Sequence, residues 1–141
     1  MADEIRDFDD FNSGVIKEFR ANEGKVGGMF EGMPLLLLTH TGAKSGTERI
    51  TPLVFARDDD RLVIAASLGG APNNPAWFHN LVANPKVTVE TGTEKFTATA
   101  TVVPERAERD RLYAKMIEIS EGFAEYETKT TRVIPVVVLE R

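Results

Sequence analysis

A chain of 141 residues, 42% hydrophobic and 28% charged, has the size and mix of one globular core, able to bury roughly 70% of its unfolded surface without metal or disulfide. Zero cysteines exclude disulfides, thiolate catalysis and iron–sulfur clusters, and with two histidines no metal site is expected. The 17 basic against 22 acidic residues, a net charge of −5, disfavour a surface that tracks nucleic-acid phosphates, so no nucleic-acid partner is expected and any basic pocket must be local.

The chain opens on an acidic stretch, five of the first ten residues being Asp or Glu, in which Ile5, Phe8, Val15, Ile16 and Phe19 recur at roughly helical spacing. This predicts an amphipathic helix over Asp3 to Ala21 packed on the flank of the main fold, with an interruption at Asn12-Ser13-Gly14, since Gly costs about 1 kcal/mol inside a helix. Four glycines between Gly24 and Gly32 read as a flexible connection, so residues 1–32 are expected to form an appendage and 33–141 the main domain. The start Met1-Ala2-Asp3-Glu4 lacks a basic region followed by an apolar one, and the longest apolar runs, Met33 to Leu38 and Val136 to Leu139, fall far short of the ~20 residues of a membrane span. Cytoplasmic residence is therefore expected.

From Pro34 onward the pattern turns to short apolar runs and period-two alternation. Strands are predicted over Leu35 to His40, Thr47 to Arg57 and Arg61 to Ser67, the last two joined by Asp58-Asp59-Asp60. Asn74-Pro75 predicts a cap and first residue for a short helix to Ala83, with Trp77 and Leu81 on one face. Thr91-Gly92-Thr93 joins Val87 to Glu90 with Lys95 to Val103, where Phe96, Ala98, Ala100 and Val102 alternate with threonines. A helix over Glu105 to Ser120 and a strand over Val133 to Leu139 complete the chain. Six mainly antiparallel strands with flanking helices give an α+β class and suggest a small closed or split β-barrel.

Two segments could carry chemistry. The turn from Thr39 to Arg49 holds two glycines, hydroxyls and two cations, and Lys44, Arg49 and Arg57 against Glu48 alone give Pro34 to Arg57 a net +2 within an acidic chain. Bare backbone N–H groups with Lys and Arg beside them suit an anion, although an ordinary hairpin turn with solvated cations has the same composition. The order of a phosphate-binding Gly-Lys-Ser/Thr loop before a helix is absent. The second segment, Ala65 to Trp77, leaves a strand, passes Gly69-Gly70 and enters a helix, so that bare backbone and a helix N-terminus could face a ligand. A strand-to-helix loop with a core tryptophan reads the same way. His40 and His79 have no nucleophile partner in the pattern and read as structural.

Taken together, Thr-Gly-Ala-Lys-Ser-Gly at 41–46 with Arg49 and Pro52-Leu53-Val54, Ala-Ala-Ser at 65–67 with Gly69-Gly70, and Asn74-Pro75-Ala76-Trp77-Phe78-His79-Asn80-Leu81 with Ala83-Asn84-Pro85 resemble the deazaflavin-dependent nitroreductase family of actinobacteria. The likeness runs from about Ile16 to the end. It implies a split β-barrel that binds coenzyme F420, an 8-hydroxy-5-deazaflavin, and moves a hydride from its reduced form to an electrophilic acceptor: an enone, a coumarin-type lactone, a quinone or a nitroaromatic.

Carried onto this chain, the resemblance implies that Lys44 and Arg49 hold the coenzyme phosphate beside Ala43, Ser45, Gly46 and Thr47. Pro52, Leu53, Val54 and Phe55 with Ser67, Leu68, Gly69, Gly70 and Ala71 would line the ring, and Trp77 would buttress that wall. Tyr126 would donate a proton or anchor the substrate. Phe55 stands where relatives tend to have tyrosine, Leu68 where they often have lysine, and Phe123 where a second tyrosine could stand, which favours an enone or quinone over a nitro compound. The same barrel could instead hold FMN, or serve as a non-catalytic coenzyme carrier that needs Lys44 and Arg49 but not Tyr126. A small-molecule acceptor is the expected partner, with the chain a monomer or weak homodimer and peripheral membrane contact of its first helix left open.

Overall fold

The computed structural model describes residues 2–141, and of residues 2–11, Met29 and Gly69 the backbone alone. The first helix, α1 (Ala2–Ala21), runs through Asn12-Ser13-Gly14 without a break. The exposed Gly14 weakens the helix, but Val15 and Phe19, buried with Leu35 and Leu37, hold that turn on the sheet. The side chains of Ile5 and Phe8, the rest of the expected apolar face, are not among those described. A 3-10 turn at Gly28–Phe30 follows. No helix among the described residues is long and apolar enough to cross a membrane.

Seven strands follow where six were expected: β1 (Leu35–Thr41), β2 (Glu48–Val54), β3 (Ala56–Asp58), β4 (Arg61–Ala65), β5 (Lys86–Thr91), β6 (Glu94–Val102) and β7 (Val136–Glu140). All pair antiparallel, in the order β2-β1-β5-β6-β7-β4-β3. The predicted strand from Thr47 to Arg57 is cut at Phe55, its halves pairing with β1 and β4 at opposite edges of the sheet. Edges joined through one residue can meet only if the sheet curls round, and this makes the split barrel.

Alternation sorts side chains between the barrel interior and its outer face. Leu36, Leu38, Leu62, Ile64, Val87, Val89, Ala98, Ala100, Val137 and Leu139 fill the interior with Phe55, Trp77 and Leu81. On the outside, Leu35 and Leu37 lie in the cluster with Val15 and Phe19 of α1, while Val63, Ala65, Val136 and Val138 pack with Leu112, Tyr113 and Met116 of α3 (Arg106–Ile119). β1 and β7 are thus covered on both faces, which explains why they read as unbroken apolar runs. Outward Thr97, Thr99 and Thr101 of β6 stay exposed.

The second helix, α2 (Ala76–Ala83), buries Trp77 and Leu81 as its spacing predicts. A further short helix, α4 (Gly122–Thr128), was not predicted; it buries Phe123, whose carbonyl accepts the Tyr113 hydroxyl at 2.6 Å. Burial pushes the Tyr113 phenol up to about 12, so it remains a donor at any ordinary pH. Asp58 fixes α3 on the β3–β4 hairpin: Arg111 bonds it at 2.9 and 3.0 Å, Arg61 also donates to it, and the two guanidiniums hold its carboxyl well below the usual range.

Candidate active site

One side of the barrel opens into a cleft of about 510 Å3, within the range of small-molecule sites. Its floor is β2, presenting Arg49, Ile50, Thr51, Pro52, Leu53 and Val54. Asn12 of α1 and Phe30 also line it, as do Ser67, Leu68 and Trp77, and Phe123 and Tyr126 of α4. Pro52 fits here because β2 is an edge strand, where a missing N–H breaks no central ladder.

Of the residues predicted for the site, Arg49, Pro52, Leu53, Val54, Ser67, Leu68, Trp77 and Tyr126 line this cleft. Ala43, Lys44, Ser45, Gly46 and Thr47 form the exposed β1–β2 turn beyond its cationic end, closed by Gly42 N–H to Thr47 O at 2.8 Å and Thr47 N–H to Ser45 Oγ at 3.2 Å. Three residues do not join the lining. Phe55 is 5% exposed inside the barrel, because the strand turns there. A Cβ on Gly70 would fall 2.9 Å from Lys129 Cβ and 3.0 Å from Tyr126 O, so its bareness serves contact with α4. Ala71 offers its carbonyl to Arg132. Of Gly69 only the backbone is described, in the 3-10 turn Leu68–Gly70.

His40, read from the sequence as structural, sits on the cleft wall at 3% exposure. Asn80 Oδ1 accepts the Ala43 N–H at 2.9 Å, so its Nδ2 is the atom 3.0 Å from His40 Nδ1 and donates to it. His40 Nε2 therefore carries the proton and donates to Thr51 Oγ1 at 2.9 Å. The chain of bonds ties α2, the cationic turn and the cleft floor together. Burial, with the charge of Arg49 adding to it, pushes the imidazole down to about 4, so His40 is neutral at pH 7.

Arg132, for which the sequence gives no signal, grips the loop after β4. Its Nε donates to Ala71 O at 2.9 Å, Nη1 to Asn74 Oδ1 at 2.7 Å, and Nη2 to the carbonyls of Ala66, Ser67 and Asn73 at 3.0–3.1 Å. Asn74, expected to cap α2, is used here instead. On α4 the Tyr126 ring meets Phe123 edge-on at 5.5 Å, and its hydroxyl has no hydrogen-bond partner among the described residues.

The arrangement suits a ligand with a flat, largely apolar ring and an anionic tail. Pro52, Leu53, Val54, Trp77 and Leu68 give a trough for the ring, and Arg49 with the exposed Ala43–Thr47 turn gives cationic and N–H groups for the tail. The donor set thus fits a deazaflavin with a phosphodiester side chain.

Comparison with known proteins agrees with this chemistry. An F420H(2)-dependent quinone reductase of Mycobacterium tuberculosis is 42% identical over 129 residues, spanning 87% of this chain and 85% of its own. A solved F420-H2 dependent reductase (FDR-A) superposes with a TM-score of 0.70 at 39% identity, over 76% of this chain and 94% of that one. A solved domain-swapped dimer matches over 99% of this chain and 98% of that one, with a TM-score of 0.71 and 34% identity. The sequence pattern of the F420H(2)-dependent quinone reductases itself matches residues 14–141, all but the first turns of α1. With sequence, fold and donor set in agreement, the chain is an oxidoreductase that belongs to the F420H(2)-dependent quinone reductase family.

Proposed function

We propose that this protein binds coenzyme F420 along β2 and reduces a small electrophilic acceptor in the same cleft, a quinone or enone ahead of a coumarin-type lactone or a nitroaromatic. The observation that carries the reading is the make-up of the cleft lining: a cation, Arg49, an apolar trough, and Tyr126 of α4, whose hydroxyl has no hydrogen-bond partner among the described residues. When bound, the reduced coenzyme supplies a hydride from C5. The chain's own residues bind, orient and exclude water. Lys44 and Arg49 supply local positive charge that a protein of net charge −5 otherwise lacks for an anionic ligand. Leu68, Phe30 and Phe123 keep the acceptor side apolar, which favours a planar dione or enone and shields the transfer from solvent. Tyr126, on the cleft lining, would hydrogen-bond an acceptor oxygen and give it a proton.

The test is a fluorescence titration with oxidised coenzyme F420, with FMN as competitor, followed by oxidation of the reduced coenzyme by menadione and by an enone. Binding with turnover is expected; binding without turnover would reassign the protein as a carrier, and displacement by stoichiometric FMN would reassign the cofactor. Arg49→Ala and Lys44→Ala should each weaken coenzyme binding by about 1.5–3 kcal/mol, the worth of a charge-assisted hydrogen bond. Unaltered dissociation constants in both variants would remove the anion from this end of the cleft. Tyr126→Phe should lower kcat by about 100-fold or more, the scale of one positioned proton donor, with coenzyme affinity kept. Equal kcat values would hand protonation to solvent.

A further inference from the structure

Helix α4 brings Phe123 and Tyr126 to the cleft but has little of its own to hold it there. It is seven residues long and has no side-chain hydrogen bond at its N-terminus, and so short a helix depends on what it packs against. Two side chains of α3, at i and i+4 on one face, supply that support. Buried Tyr113 donates its hydroxyl to the carbonyl of Phe123 at 2.6 Å, near the start of α4. Arg109, 5% exposed, donates from Nη2 to Glu127 Oε2 at 3.1 Å, near its end. The Arg109 guanidinium also lies over the Tyr113 ring, 4.3 Å from its centroid, so the two supports brace each other.

Arg109 reaches beyond α4. Its Nε donates to the carbonyl of Ile134 at 2.9 Å, just before β7, and its Nη1 to Asp110 Oδ1 at 2.9 Å. Taking a guanidinium out of water is costly, and the cost is offset only where its donors meet good acceptors. Here α3 itself, the end of α4 and the segment leading into β7 supply them. Lysine could not replace it, since an ammonium has no planar fork to span Ile134 and Glu127 at once. Tyr126 lies between the two residues of α4 held in this way, three after Phe123 and one before Glu127. Its own hydroxyl makes no bond among the described residues, so its place in the cleft is set by the helix that carries it.

We propose that Arg109 is a positioning residue for the reduction: through Glu127 it fixes the end of α4, and with it the reach of the Tyr126 hydroxyl to the acceptor oxygen. The proposal rests on the function proposed above. Arg109 is not on the cleft lining, so its effect should appear in turnover and not in coenzyme binding.

The partner of the contact gives the cleaner variant, because the Glu127 side chain is 38% exposed whereas Arg109→Lys leaves a buried charge short of acceptors. With saturating menadione, Glu127→Ala should lower kcat about tenfold, within the cost of an ångström-scale misplacement of a reacting group, and leave the dissociation constant of oxidised coenzyme F420 within about twofold. Glu127→Gln keeps an oxygen for Nη2 and should stay within about threefold of the wild-type kcat. In a Tyr126→Phe background Glu127→Ala should change kcat less than about twofold, because the group it positions is gone. General destabilisation would instead multiply through both backgrounds. The same dependence on background is expected of Arg109→Lys, and Glu127→Ala decides the question should that protein not fold. Unchanged kcat in Glu127→Ala, a Glu127→Gln enzyme as slow as Glu127→Ala, or equal fold losses in the two backgrounds would each overturn the assignment and leave the proposed function standing. A Tyr126→Phe enzyme as fast as wild type would end the role of the phenol and that of Arg109 with it. A wild type that binds no coenzyme would overturn the proposed function as well.

Discussion

Acidification from pH 7 to 4 is expected to destabilise the fold by about 3 kcal/mol through the single imidazole of His40, beyond what its carboxylates contribute. The folded protein holds this group at about 4 against an ordinary 6.5, so between those values the unfolded chain binds a proton that the native state refuses. The stabilisation is complete above pH 6.5 and falls away as the pH drops toward 4, at 1.36 kcal/mol per pH unit. A protonated imidazole would also set Nδ1–H against the Asn80 amide donor. Asn80 cannot turn to accept it without releasing the Ala43 N–H from its Oδ1. Loss of coenzyme affinity should therefore follow the same midpoint, as the cationic turn comes free of α2. The measurement is the urea unfolding free energy at pH 7 and pH 4 for wild type and for His40→Gln. The pH dependence should be smaller in the variant by about 3 kcal/mol, the worth of the displaced titration. Superimposable pH profiles would mean that the imidazole titrates normally and that the bonds to Thr51 and Asn80 do not hold it neutral.

The extent to which the site could be read from the sequence follows from the range of the interactions that make it. Hairpins and alternation are local, so the inward Phe96, Ala98 and Ala100 and the outward threonines fell where period two puts them. The cations at 44 and 49 were legible because charge needs no fold to be seen, and the ordered motifs pointed to the family. The cut at Phe55 was not legible, since the alternation of β2 runs on into β3 and only barrel closure decides where the chain changes partner. Helix α4 is seven residues, too short for periodicity to declare, although Phe123 and Tyr126 at i, i+3 hold its apolar side. Arg132 is the clearest case. Its partners lie 58–66 residues earlier, and nothing in Thr130-Thr131-Arg132 distinguishes it from a solvated arginine. The glycine pair carries a signal with more than one source: at Gly70 the bare backbone is closely approached by α4.

That contact sets the other large expected effect. Gly70→Ala should destabilise the protein by about 2–4 kcal/mol, combining a left-handed conformation at φ +85° with a methyl group that meets α4. The added carbon would stand 2.9 Å from Lys129 Cβ, 3.0 Å from Tyr126 O and 3.2 Å from Tyr126 Cα. Two of these are backbone atoms, so a side-chain rotation cannot clear the space and α4 itself must move. Gly92→Ala separates the two causes: its φ of +55° carries the conformational cost, while the nearest atom, Glu23 O, is 3.8 Å away. Urea denaturation should place Gly92→Ala about 1 kcal/mol below wild type and Gly70→Ala well below that, with the same m-value in all three proteins. Because α4 carries Tyr126, kcat should fall in Gly70→Ala far more than coenzyme affinity does, whereas Gly92→Ala should keep the wild-type ratio of the two. If the two variants proved equally stable and equally active, contact between the loop and α4 would have no part in holding Tyr126 in the cleft. The phenol would then be positioned by Phe123, anchored through its carbonyl to Tyr113 in the core of α3.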